Sequence, residues 1–334
     1  MKYRHLPRTE LDLSEVGFGL WTVATTWWGR IEESEKQRLL QTAFELGINF
    51  YDTADTYGEG YGEEILAKSL GHERHNIVIA TKFGYDFYDN IERVGHKERT
   101  QKFEPDFIRF ACEQSLRRLK TDYIDIYQLH NPRIDAIESD EVFDTLDTLV
   151  KEGKIRYYGS ALGPDIGWFE EGEASMRDRR VSSLQIIYSI LEQDPARRFF
   201  PIAGEENVGL ISRVPHASEV LTGRFSQPPT FAPGDHRAHR RHEWLTQALK
   251  KAEQVTFLAE ETGRTMAQAA IKFCLAKEAI VSVLPNITSM EELEEYASAP
   301  DTPDLMIEEN EQLDDLWENA FYLEEASPAA SEAS

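Results

Sequence analysis

Basic residues are scarce in this chain of 334 residues: 36 Lys and Arg stand against 60 Asp and Glu, a formal charge of −24 at pH 7. That balance argues against nonspecific nucleic-acid binding, which needs cations to release counterions. Cysteine is scarcer still, with Cys112 and Cys274 alone. They have no metal-ligand spacing and both fall in predicted helices, so buried free thiols are expected. No stretch approaches the roughly 18 apolar residues of a membrane span. The opening M-K-Y-R-H-L-P-R lacks an apolar h-region, which predicts a cytoplasmic protein. The glycines of V-G-F-G-L at 16–20 suit close approach of a ligand to backbone, but they form no dinucleotide fingerprint.

What the chain does have is a hydrophobic fraction of 41%, enough for a large core, and a strand–helix rhythm. A hairpin is expected at 3–6 and 11–13, turning at Pro7-Arg8-Thr9. Extended segments follow at 16–20, 48–52, 77–82, 124–129, 155–160, 183–187, 208–212 and 280–284. Helical patterns separate them, among them 60–70, 106–119 (with Pro105 pre-setting its first turn), 140–152 and 289–297. Ser34 with Gln37 reads as a capping box opening another. Eight such units predict an α/β chain of (β/α)8 TIM-barrel type, a single domain over 1–323. The N-terminal hairpin precedes the barrel, and long loops at 84–104 and 214–241 belong to the catalytic face. Residues 324–334 hold nothing to build a core with, and disorder is expected there.

The stretch G-I-N-F-Y-D-T-A-D-T-Y-G at 47–58 carries the chemistry. Asp52 closes a short apolar strand and Tyr57 sits in the turn beyond it. A phenol exchanges a proton near neutral pH only where a cation stabilises its anion. The next strand ends in Lys82, and the one after it ends in His130. Taken singly each has a duller role open to it: Asp52 or Asp55 could cap the helix near Gly60, and His130 could be a satisfied turn histidine. Parallel barrel strands bring all of these ends to one mouth, which makes the joint dull reading improbable.

N-F-Y-D-T-A-D-T-Y-G, A-T-K-F-G, S-L-R-R-L-K-T-D-Y-I-D-I-Y-Q-L-H and G-K-I-R-Y-Y-G, in this order and spacing, resemble the aldo-keto reductase family. The similarity runs from about Tyr3 to Tyr296. It implies that Tyr57 is the proton donor, with Asp52, Lys82 and His130 completing a tetrad. It implies a nicotinamide dinucleotide, no metal, and a small carbonyl or alcohol as partner; neither nucleic acid nor membrane is expected, and a homo-oligomer is left open. By the same resemblance Gln185 binds the carboxamide, Tyr188 stacks on the nicotinamide and Ser212 lies at the pyrophosphate. Trp21, Trp27 and Trp28 in the first βα loop could line a substrate pocket.

The sequence departs from the family in two places. After the fifth barrel strand, Ala161 and Leu162 replace the usual Ser-Asn pair. After the eighth, P-N-I-T-S-M-E-E-L replaces a basic pattern that receives the 2′-phosphate of NADP, leaving Asn286, Thr288 and Glu292 as cofactor contacts. Carboxylates repel a phosphate and accept bonds from a ribose diol, so NAD is weakly favoured over NADP. The leading expectation is an oxidoreductase interconverting carbonyl and alcohol. A cofactor-sensing regulatory subunit on the same fold, and a sugar dehydrogenase working oxidatively with NAD, are the alternatives.

Overall fold

The computed structural model describes residues 1–88, 98–163, 168–231, 234–239 and 242–323. Two short strands, β1 (Tyr3–His5) and β2 (Asp12–Ser14), pair antiparallel as the expected hairpin. Eight strands then form one parallel sheet in chain order: β3 (Phe18–Gly19), β4 (Phe50–Asp52), β5 (Val78–Phe83), β6 (Ile124–His130), β7 (Ile155–Ala161), β8 (Ser183–Ile187), β9 (Gly209–Arg213) and β10 (Ile280–Leu284). The two edges meet, because the Gly17 amide donates to the Val283 carbonyl and the Val283 amide to the Glu15 carbonyl, both at 2.9 Å. The sheet is thus a (β/α)8 barrel.

The seam explains why β3 is shorter than the expected 16–20. Val16 and Gly17 pair with β10, while Phe18 and Gly19 pair with β4. Side chains alternate along each strand, so every second residue faces the barrel interior. Phe50, Val78, Ala80, Ile126 and Ile211 gather there, and Leu6, Leu11 and Leu13 of the hairpin region join them. The hairpin plugs the end opposite the strand C-termini. Leu6 enters so far that a Cβ on Gly209 would lie 2.3 Å from its Cδ1. A side chain at Gly209 would force Leu6 to shift.

The second, larger cluster lies between strands and helices. The helix Pro105–Leu119 shows how it is assembled: proline opens it, Ile108, Ala111, Cys112, Leu116 and Leu119 form its buried stripe, and Lys120 ends it at φ 52°. Cys112 and Cys274 are both buried free thiols within helices. The expected capping box at Ser34 and Gln37 is not formed. The helix runs Glu33–Glu45 from Glu32 without a side-chain cap, leaving Ser34 inside the first turn. Gln37 instead donates to Glu33 at 3.3 Å, and Glu33 and Glu35 answer the helix dipole. A complete box stands at Thr265 and Gln268, opening Met266–Leu275.

Both long loops rise on the face where the strands end. In the first, Tyr85 bridges to Gln101, and Gln101 donates to the carbonyls of His130 and Asn131 at 3.0 and 2.8 Å; residues 89–97 lie outside the described residues. In the second, Arg237 pairs with Asp235 and lies over the rings of Trp28 and Phe231, 4.9 and 4.6 Å from their centroids. That contact joins this loop to the first βα loop across the catalytic face. Residues 232–233, 240–241 and 324–334 also lie outside the description. Among the described residues no helix is long and apolar enough to cross a membrane.

Candidate active site

Inner-face alternation brings the polar strand ends together. Asp52 follows Phe50 by two residues, Lys82 follows Val78 and Ala80, and Gln128 and His130 follow Ile126. All of these stand on the inner face at the C-terminal ends of β4, β5 and β6. Tyr57 arrives from the turn after β4. Gly58 allows that turn to lie flat against the first βα loop: it has φ 59°, and a Cβ there would sit 2.4 Å from the Ala24 carbonyl oxygen. A side chain at Gly58 would push Tyr57 off the mouth.

The geometry is a chain of charge and hydrogen bonds. Lys82 Nζ, 1% exposed, donates to Asp52 Oδ1 at 2.5 Å, to the Thr53 carbonyl at 2.8 Å and to the Tyr57 hydroxyl at 3.3 Å. Asp52 Oδ2 accepts from Gln128 and Gln185 Nε2 at 3.0 and 2.9 Å. Burial lowers the lysine's pKa, but Asp52 and Tyr57 more than offset it and hold the ammonium above its ordinary pKa. Lys82 is therefore a cation with three partners, one of them the phenol. Gln185, expected at the carboxamide, is anchored to Asp52 through its amide nitrogen. Gln128 was not anticipated, although its place two residues before His130 on β6 carried the signal.

His130 does not bond to Tyr57. Its ring meets Tyr57 edge-on at 5.9 Å and Tyr85 edge-on at 4.9 Å, and its buried Nδ1 has no protein partner. Burial, then the charges of Lys82 and Arg213, push it well below the ordinary histidine pKa. It is neutral at physiological pH, with Nδ1 unbonded. Trp21 stacks on Tyr57 at 6.4 Å and 25°, and Trp27 and Trp28 meet Trp21 edge-on. An indole wall thus flanks the phenol.

Two expected cofactor contacts are not brought to the mouth. Tyr188 has no exposed surface: it stacks on Phe273 at 5.0 Å and meets Phe200 edge-on at 5.1 Å, within the helix layer. Ser212, also without exposed surface, donates to the Tyr188 carbonyl at 3.0 Å, on the helix side of the strand. Strand parity is the reason. On β9 the inner-face residues are Gly209, Ile211 and Arg213, so Ser212 faces outward and Arg213 takes the mouth. Its guanidinium donates to the Leu162 carbonyl at 2.7 Å, so the residue replacing the family's asparagine contributes backbone instead.

A second polar cluster lies beyond β9 and β10. Ala217, Ser218 and Glu219 follow one another at φ 46°, 57° and 71°, a left-handed turn costly for non-glycine residues. Asn286 donates to Glu219 at 3.0 Å. Glu292 accepts from the amide and hydroxyl of Thr288, both at 2.8 Å, and pairs with Arg224. Burial, and Glu292 after it, raise Glu219 to a pKa of about 7. Asn286, Thr288 and Glu292 are thus gathered in one place, and Glu219 and Arg224 complete it.

A profile of the Aldo/keto reductase family matches residues 15–318, and the chain belongs to that family. Its members are nicotinamide-dependent oxidoreductases. The chain is 31% identical to "Uncharacterized oxidoreductase YqkF" of Bacillus subtilis (strain 168) over 324 residues, 96% of this chain and 98% of that protein. It is 26% identical to "Probable voltage-gated potassium channel subunit beta" of Arabidopsis thaliana, covering 92% of this chain and 93% of that one. The solved aldo-keto reductase AKR11C1 from Bacillus halodurans, in its holo form, superposes with TM-score 0.77 at 30% identity, over 95% of this chain and 96% of that one. Among the described residues no cluster of three or more His, Cys, Asp or Glu is arranged for a metal ion.

Proposed function

We propose that this chain reduces a small polar aldehyde, ketone or sugar with Tyr57 as proton donor. The observation that carries the reading is the Asp52–Lys82–Tyr57 chain, a buried cation 3.3 Å from the phenol oxygen. A nicotinamide dinucleotide supplies the hydride when bound. The residues suit such a group: His130 offers an unbonded ring nitrogen at the mouth, and Asn286, Glu219 and Glu292 offer ribose acceptors and donors beyond β10.

The protein's part is proton control. Tyr57 gives its proton to the carbonyl oxygen and becomes tyrosinate, which the Lys82 ammonium stabilises. Asp52 holds that ammonium, and the amides of Gln128 and Gln185 hold Asp52. Neutral His130 orients the carbonyl oxygen by hydrogen bond. In the oxidative direction the same tyrosine is the base, which is how a sugar dehydrogenase would run here. NAD is weakly favoured, because Glu219, Glu292 and Glu295 surround Arg224 and two of them already engage it.

The decisive experiment scans aldehydes, ketones and sugars in both directions with both cofactors, following reduced-nicotinamide absorbance. Turnover is expected with at least one substrate. Tight cofactor binding without turnover on any would move the assignment to the regulatory-subunit reading, for which the potassium-channel-like relative gives a precedent in name.

A further inference from the structure

The mouth holds one charge that proton transfer leaves unused. The Lys82 cation is matched by Asp52 at 2.5 Å, and His130 is neutral. Among the described residues at the strand ends, the remaining cation is Arg213, partly buried, whose guanidinium donates to a neutral carbonyl, that of Leu162. Its charge is felt by Tyr57 and Asp52, then more weakly by Glu192 and Tyr85, and also by His130. Arg213 stands on the inner face, where strand parity points it over the site.

A carbonyl whose oxygen lies at the Tyr57 hydroxyl receives its hydride at this same mouth. The nicotinamide must therefore stand within the field of Arg213. Its reduced ring is neutral, whereas its oxidised ring is a monocation. A fixed cation nearby opposes the oxidised form and leaves the reduced form nearly unaffected. We propose that Arg213 sets the redox preference of this site, weakening the binding of oxidised cofactor relative to reduced. The solution equilibrium is unchanged. The consequence is loading with reduced cofactor and faster release of the oxidised one, the working cycle of a carbonyl reductase. The inference rests on the reading that the site binds nicotinamide, but not on the choice between NAD and NADP.

The test measures dissociation constants of the reduced and oxidised cofactor by quenching of tryptophan fluorescence, with no substrate present. Wild type should bind the reduced form more tightly. Arg213→Gln, which keeps a donor for the Leu162 carbonyl, should shrink the oxidised-to-reduced ratio about tenfold, the scale for unit charges a few ångströms apart in a partly screened site. Arg213→Lys should retain most of it. Added salt should lower the ratio in wild type and leave the Gln variant unmoved. An unchanged ratio in Arg213→Gln overturns the proposal, as does tighter binding of oxidised cofactor by wild type. If the Gln variant binds neither form, the wild-type salt series decides, and a salt-independent ratio overturns it. Failure of wild type to bind either form rejects the nicotinamide reading itself.

Discussion

The two ends of the cleft treat charge differently. At the ends of β4, β5 and β6, the Lys82–Asp52 pair is matched within the protein: Lys82 has Asp52, and the second oxygen of Asp52 has two amide donors. Beyond β9 and β10, Arg224 is shared by Glu292 and Glu295, while Glu219 accepts from a neutral donor, Asn286. The first arrangement is complete before any ligand arrives, as preorganised catalysis requires. In the second, carboxylates exceed cations, and protonation or a ligand can change the balance. On the proposed reading, chemistry is set at one end and selection at the other.

The largest expected effects test the completeness of the first end. Tyr57→Phe keeps the ring against Trp21 but removes the transferable proton, and turnover should fall by about 10²–10⁴-fold. Cofactor dissociation constants should stay within a few-fold, which separates lost chemistry from lost binding. Near-normal turnover would break the tetrad assignment. Lys82→Met acts on stability as well, because it strands Asp52 in the barrel without the cation bonded to it. Removing one partner of a buried pair costs about 3–5 kcal/mol. Urea unfolding should show that loss, and Lys82→Met with Asp52→Asn together should recover part of it. A double variant no more stable than the single would show that Asp52 is not the source.

The comparison also explains what the sequence could reveal. The convergence of Asp52, Lys82 and His130 was legible because strand ends converge in any parallel barrel, so locating these residues at strand ends located them in space. Eight strands were legible for the same reason, from their recurrence. What escaped turned on parity. Ser212 and Arg213 are adjacent, and only the inner-face series Gly209, Ile211, Arg213 shows which one reaches the mouth. Tyr188 lies one residue beyond β8, and its surroundings are set by Phe200 from the next helix and Phe273 from a distant one. Ser34 missed being a cap by two residues, because the helix began at the acid next to it. The Glu219–Asn286 pair joins residues 67 apart, and nothing local in the chain announces it.

Glu219 offers a test of the second end through pH. Its folded-state pKa is raised, to about 7, by burial first and by Glu292 next. A raised carboxyl binds its proton more tightly folded than unfolded. Its contribution is therefore full below the ordinary carboxylate pKa and is lost as pH rises through about 7. The loss should be on the order of 2 kcal/mol. Melting temperature measured from pH 5 to pH 8, in roughly unit steps, should fall more in wild type than in Glu219→Gln, which cannot ionise. Parallel curves for the two proteins would mean that Glu219 is ionised throughout and better solvated than its surroundings suggest.

Cofactor choice is the smallest effect and bears most directly on the idea that the second end selects. Thr288 donates twice to Glu292 and so points that carboxylate inward, where Arg224 meets it. A 2′-phosphate arriving here must take Arg224 from Glu292 or face the carboxylate without it. Charge-assisted bonds to phosphate are strong, but the displaced carboxylate would remain buried beside two more negative charges. A ribose diol meets no such opposition and can donate to the carboxylate. The preference for NAD should therefore be weak, because a partly exposed arginine can move. Glu292→Gln keeps an acceptor for Thr288 and releases Arg224, and should raise the NADPH-to-NADH ratio of kcat/KM by about tenfold, equal to ~1.4 kcal/mol. Arg224→Gln should lower that ratio. If wild type already prefers NADPH by tenfold and Arg224→Gln abolishes the preference, the arginine exchanges Glu292 for phosphate, and the self-paired cluster is a resting state that the cofactor opens.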